Sequence, residues 1–481
     1  MSKLGLGTRT FYSEGENCIN YKKHISKFDL QGRLVDPISV MEFLMKNYIF
    51  SNRTMVQGIE RTPWMAKRAS KDSESWSYLD LPPHLKDKKS SPEVAKKLKQ
   101  LLEIEALEFL NGKRNIGILL SGGMDSRIVA AIVRELQVTG KYTGDVTALT
   151  WGLKDSRDVV YAQRIAQSFG WEFSYKPLTE EVLYNNIFLT AERGAEYSPV
   201  HLHAMADVSK TIGIDGILAG SYGDSIGRGE YSGRKTSELP HILDRHMNHF
   251  AFLRASVEKA AIHGVRADLE RERSRFPGRS EMSYREIEMQ QHYMRRQLNA
   301  CMEVIDDRIP LYQMFTSPDV FGFMWSLDPS CRTDDNYEHL LELLPGNLLD
   351  IPWARTGRRY NKANSIVEDT LTSRNNCYGK WLRHDLRSTV LNEINSGVLQ
   401  ELGIFNEKSL DMWAKHWPKT TYAKADRLDE KMAWLASFSV FVRNNNLKSQ
   451  VNKYSALDDF NRLKAFAYTK LYHTALKVSK R

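Results

Sequence analysis

The chain has 481 residues, 42% of them hydrophobic, and its 68 Lys and Arg against 59 Asp and Glu give a net charge of +9. That is enough chain for at least one large core, and it excludes both a disulfide-stapled miniprotein and a disordered polyelectrolyte. The longest uncharged apolar run, Met432 to Val442, has 11 residues, whereas a membrane-spanning helix needs about 20. No membrane insertion is expected. Cys18, Cys301, Cys331 and Cys377 stand far apart without a CxxC pair, and the N-terminus lacks the apolar stretch of a secretory signal, so a cytoplasmic location is expected.

Residues 1–36 read as polar and irregular, and Ile38–Tyr48 has helical apolar spacing. A loop-rich stretch leads to Ser91-Pro92-Glu93, where a capping Ser and a Pro at the first helical position predict a helix to about Phe109. From Asn115 the pattern alternates: strand 115–120, helix 126–136, strand 145–151, helix 159–169, and short strands at 172–176 and 216–219. This predicts an α/β fold, a parallel sheet with helices on both faces. Beyond Pro240 the pattern is helical, with segments at 251–260, 283–305, 337–344, 380–402 and 423–442. It predicts a large helical C-terminal part.

The most informative string is Ser121-Gly122-Gly123-Met124-Asp125-Ser126-Arg127, directly after a buried strand ending at Leu119-Leu120. Two glycines permit a tight turn, and main-chain N–H groups at the start of the next helix make an anion site. Ser121 and Ser126 add hydroxyl donors, and Asp125 supplies a carboxylate suited to phosphate-bound Mg²⁺. The Gly-Lys-Ser/Thr ending of a Walker A loop is missing.

This string resembles the pyrophosphate loop of the ATP pyrophosphatase superfamily. Within it, Ser51–Pro63 is similar to the segment joining the two domains of class B asparagine synthetases. Ala148–Gly152 and Asp158–Ala162 resemble the family's second strand and following helix. Gly220-Ser221-Tyr222-Gly223-Asp224 stands where the family has Gly-Glu-Gly-X-Asp-Glu, and Asp306–Leu311 resembles Glu-X-Arg-X-Pro-Phe. The resemblance spans about residues 37–447 and implies three regions. Residues 1–92 are an N-terminal segment and linker left from an amidotransferase domain, residues 93–447 an asparagine synthetase-like domain with the adenine nucleotide alpha hydrolase-like fold, and residues 448–481 a basic tail.

The departures are as informative. Ser2 stands where a glutamine-hydrolysing synthetase has its nucleophilic Cys, and 92 residues are too few for that domain. Nitrogen is therefore expected from ammonia, an amine, or a separate glutaminase. Ser221 replaces the family's Glu with Tyr222 beside it, and β-lactam synthetases of this branch pair a Tyr with an acid as a base, which makes Tyr222 and Asp306 a candidate dyad. Near Ile351–Arg359, where the family presents a cation to the α phosphate, Arg355 is the first choice and Arg358 the second.

The resemblance thus implies an AMP-forming carbon–nitrogen ligase using ATP and Mg²⁺ on a small-molecule or peptide carboxylate. Leu119, Ser121, Gly122, Gly123, Asp125, Ser126, Thr150 and Gly220 are expected to hold the nucleotide, and Asp125 and Asp224 the metal. Adenine is expected on the sheet edge near Leu119 and Thr150–Gly152. Pro199–Met205 and Asp306–Tyr312 are expected to line the carboxylate pocket, with His201 and His203 as packing or hydrogen-bonding groups. An RNA-modifying enzyme using the Arg-rich stretch between Pro240 and Ala300, and a catalytically weakened relative, remain open alternatives; nucleic acid is not the expected partner. The last 35 residues carry six of the nine net positive charges and read as a terminal helix packed through Leu463, Phe466, Leu471 and Leu476.

Overall fold

The structure, a computed structural model, describes residues 11–14, 19–68, 76–229, 248–360, 367, 370–419, 426–450 and 452–478. Its centre is a parallel sheet of β6 (Asn115–Leu119), β7 (Asp145–Gly152), β8 (Glu172–Pro177), β9 (Gly216–Ala219) and β10 (Leu311–Gln313), in spatial order β10-β9-β6-β7-β8. The connections run α3 (Met124–Val138) from β6 to β7 and α4 (Arg157–Phe169) from β7 to β8, after which α5 (Glu180–Glu192) starts the return across β6 to β9. Chain direction across the sheet therefore reverses at β6, and a crevice opens between the carboxyl ends of β6 and β9, where such sheets bind ligands. Two-residue periodicity divides β9: Leu218 faces the layer holding α2 (Ser91–Leu110) and α3, whereas Ile217 and Ala219 face the helices Met205–Val208 and Ala300–Asp306.

The predicted α/β alternation is present, with differences at its margins. The N-cap of α2 is Ser90, which forms a capping box with Glu93. In the stretch predicted as irregular, β1 (Phe11–Glu14) pairs antiparallel with β2 (Ile19–Lys22) and with β3 (Glu60–Arg61); β4 (Ala66–Arg68) and β5 (Trp76–Tyr78) form a further pair. The predicted helix 380–402 is three pieces, Tyr378–Arg383, Arg387–Ile394 and Val398–Glu401, and the second break falls at Gly397, which takes the left-handed conformation at φ 89°.

The helical part is continuous with the N-terminal segment. In α1 (Pro37–Lys46), Phe43 stacks on Trp434 of the helix Asp426–Asn444 at 4.3 Å. Arg295 and Arg296, both buried, reach the Ser51–Pro63 segment through Asn52, the Thr62 carbonyl and the main chain of Ser51 and Arg53. Arg254 and Arg285 are buried too. Four arginines of the Arg-rich stretch thus face protein, whereas Lys259, Arg266, Arg271 and Arg273 are exposed.

Lys431, buried beside α1, donates to the Phe43 carbonyl at 2.8 Å and to the Asn47 side chain. Burial lowers its pKa to about 7 against a partial opposing effect of Glu430. Above that pH the folded ammonium loses its proton, while the unfolded one keeps it until about 10.4, so the unfolded state binds more protons and stability rises with pH across this window. We expect a gain of about 2 kcal/mol between about pH 7 and about pH 9. Urea unfolding should show it, and Lys431→Met should flatten the dependence.

Candidate active site

The loop after β6 is braced by its own hydroxyls. Ser126 Oγ lies 3.0 Å from Ser121 Oγ and accepts from the Ser121 amide at 3.1 Å, and Ser121 Oγ accepts from the Gly123 amide at 3.1 Å. Gly123 caps α3, which places Asp125 in its first turn, where the helix dipole favours an anion. Asp158, at the start of α4, takes a hydrogen bond from the Gly122 amide, although burial holds its carboxyl above the usual range.

Gly220–Asp224 crosses directly over that first turn. A Cβ at Gly220 would lie 2.8 Å from the Asp125 main chain, and one at Gly223 would lie 2.7 Å from Asp125 Cβ, so bulk is excluded at both positions. The third wall is the Ile351–Arg359 segment. Its Ala354 amide donates to the Gly122 carbonyl at 3.1 Å, and Arg355, exposed, lies over the Trp353 ring at 5.2 Å. The candidate residues Ser121, Gly122, Gly123, Asp125, Ser126, Gly220, Asp224 and Arg355 are therefore on elements that meet at one carboxyl edge.

Leu119 and Thr150 lie towards the carboxyl ends of the adjacent strands β6 and β7, and the Thr150 hydroxyl ties the two together by donating to the Leu120 carbonyl at 2.7 Å. Two expectations need correction. Tyr222 and Asp306 lie at opposite ends of parallel strands. Asp306 accepts from the Leu311 amide at 2.6 Å at the amino end of β10, which pairs with Ile217 of β9, whereas buried Tyr222 follows the carboxyl end of β9. Two residues of strand, roughly 7 Å, separate those levels before the chain turns, so the dyad is not assembled. Tyr312 points to α2, donating to Glu105 at 2.6 Å. Cys18 and Ser2 lie outside the described residues.

Two arginines not assigned in the sequence complete the site. Arg127, fully buried, donates to the carbonyls of Leu348 (2.7 Å), Ile351 (2.8 Å), Pro352 (2.9 Å) and Gly122 (3.2 Å), which fastens the Arg355 segment to the loop. Burial pulls its pKa down to about 10, still cationic at neutral pH. Arg228 grips both oxygens of Asp125, at 3.0 and 3.3 Å, and reaches Asp334 at 3.2 Å. Burial works against its charge, Asp125 outweighs that, and the pKa ends above the ordinary arginine value.

Asp125, Asp224 and Asp334 all act on the buried Tyr337 hydroxyl, with Arg228 the cation among them. Three carboxylates against one guanidinium favour a divalent cation, and hard oxygen donors suit Mg²⁺ when phosphate oxygens complete the shell. Among the described residues no group of three or more His, Cys, Asp or Glu forms a ready protein cage. Asp125 and Asp224, on the two elements that meet at the loop, are the carboxylates that could face a metal arriving with a polyphosphate.

A cleft of about 1880 Å³ opens beside Asp334, Trp353 and Arg358. A smaller cavity of about 520 Å³ is lined by Asp158, Val200 and Tyr378. Behind Tyr378, His203 Nδ1 lies 2.7 Å from its hydroxyl, and the His203 ring stacks on Trp151 at the end of β7. Burial pushes the His203 pKa down to about 3, and its φ of 47° is a strained conformation for a side-chain-bearing residue. Residues 97–334 match the family model described as asparagine synthase.

Proposed function

We propose, for a chain whose residues 97–334 form an asparagine synthetase-like synthetase domain, that it is an ATP-dependent ligase joining a carboxylate to ammonia or an amine with release of AMP and pyrophosphate. The observation that carries this reading is the hydroxyl-braced Ser121–Ser126 loop at the carboxyl end of the central strand, walled by Gly220–Asp224 and by the Arg355 segment. Its amides and the dipole of α3 favour a pyrophosphate anion at that point.

A substrate carboxylate oxygen attacks the α phosphorus, the bond to the β-phosphate bridging oxygen breaks, and pyrophosphate leaves on the loop. Arg355, carried by the segment that Arg127 holds, supports the charge on the α phosphate as it grows. The nitrogen nucleophile then attacks the acyl carbon of the adenylate, AMP departs with the former carboxylate oxygen, and the nitrogen gives up a proton. Mg²⁺ bound by Asp125 and Asp224 would supply charge neutralisation of the pyrophosphate. The cleft beside Asp334 and the cavity at Tyr378 are the two approaches for the organic substrates.

The test is the nucleotide balance. Incubation with ATP, Mg²⁺ and a panel of carboxylates, with ammonia or an amine present, should yield AMP and pyrophosphate in equal amounts with the acid that is turned over. Turnover that releases ADP and phosphate would overturn the reading.

A further inference from the structure

The helix Ala456–Val478 packs through a side that the sequence did not indicate. Asp458, Ala465 and Thr469 are buried against the protein, whereas Leu457, Phe460, Leu463, Tyr468 and Leu471 are each more than half exposed. At about 100° per residue the five exposed side chains share an arc of about 140°, opposite the packed face. Phe466 packs on Trp413 and His416 as expected, but Leu463 and Leu471 point outward instead of inward.

Charge selects what this outer face meets. From Leu447 to the end the sequence has eight Lys or Arg and two acids, Asp458 and Asp459. Asp458 turns inward to the Ala255 and Ser455 amides, and Asp459 is engaged by Lys408, Tyr454 and Arg462. Exposed Lys464 lies within the apolar arc and exposed Lys470 at its border. A second copy docked by a two-fold axis would set these lysines against their own equivalents in a drying interface. A surface of anionic headgroups instead takes the cations while its acyl boundary takes the Leu and Phe side chains, as interfacial helices do.

We propose that the outer face of the helix Ala456–Val478 is a docking surface for an anionic phospholipid membrane, which would bring the chain to lipid without crossing it. No helix among the described residues is long and apolar enough to span a bilayer. The inference is independent of the ligase reading, because it uses no residue of the loop site.

The test is co-sedimentation of the full chain with phosphatidylcholine vesicles, pure or containing phosphatidylglycerol. Binding is expected with the anionic vesicles, falling at high salt and weak with the neutral ones. Leu463→Asp with Leu471→Asp, and separately Lys464→Glu with Lys470→Glu, should each lower partitioning at least about tenfold, while thermal melts stay unchanged because these side chains are exposed. The proposal fails if anionic vesicles do not sediment the protein, if neutral vesicles bind it equally, or if either double variant binds normally. Light scattering showing a dimer that Leu463→Asp with Leu471→Asp converts to monomer would assign the face to a second copy and also overturn it.

Discussion

Asp125→Asn is expected to slow AMP release by about 100- to 1000-fold, the scale on which preorganised electrostatic groups act. The charge removed is the one that α3 presents beside the loop and that Arg228 grips through both oxygens. Because Arg228 is buried, the substitution also carries a stability cost that a surface turn would not. With Asp334, about a third exposed, still in place, we expect about 1–2 kcal/mol, below the cost of breaking a fully buried pair. Arg228→Met leaves Asp125, Asp224 and Asp334 without the guanidinium among them. In the double variant Asp125→Asn with Arg228→Met, part of the stability lost in Arg228→Met should return. Urea midpoints for the two single variants and the double variant, read beside AMP release, test this. Unaltered turnover in Asp125→Asn would remove the carboxylate from the chemistry.

The loop was legible because every local preference along it agrees. An apolar strand, two glycines, a serine at each end of the turn and a helix-forming run all specify the same turn. The same consistency exposed the alternation through β8. Arg228 escaped because its role depends on contact with Asp125, 103 residues earlier in the chain, which neither periodicity nor spacing encodes. Arg127 stood inside the informative string, yet nothing local reveals that its partners are carbonyls at Gly122 and near residue 350. The proposed Tyr222 and Asp306 pair failed on topology: sequence order cannot say which end of a strand a loop residue occupies until strand direction is known. The terminal helix failed for a related reason. Its apolar residues occur on both faces, so periodicity could not indicate which face packs.

Arg127→Met is expected to be the most destabilising of these changes. The guanidinium satisfies four main-chain carbonyls within 3.2 Å and is fully buried, so a thioether of similar volume leaves acceptors dry that methionine cannot serve. Each buried acceptor left without a donor costs about 1–3 kcal/mol; if two stay unpaired the loss is about 4 kcal/mol, a large part of the 5–15 kcal/mol that typically separates folded from unfolded chains. Arg127→Lys keeps the charge but replaces a planar fork with a compact ammonium that cannot reach all four carbonyls. It should fold, with the Ile351–Arg359 segment loosened from Gly122. Because Arg355 acts through that segment in the reading above, Arg127→Lys should weaken ATP binding in calorimetry, and adding Arg355→Ala should cost less than Arg355→Ala does alone. Full additivity of the two would show that Arg127 holds the core without positioning the cation. An Arg127→Met variant that unfolds at the wild-type urea midpoint would show that the four carbonyls find other donors.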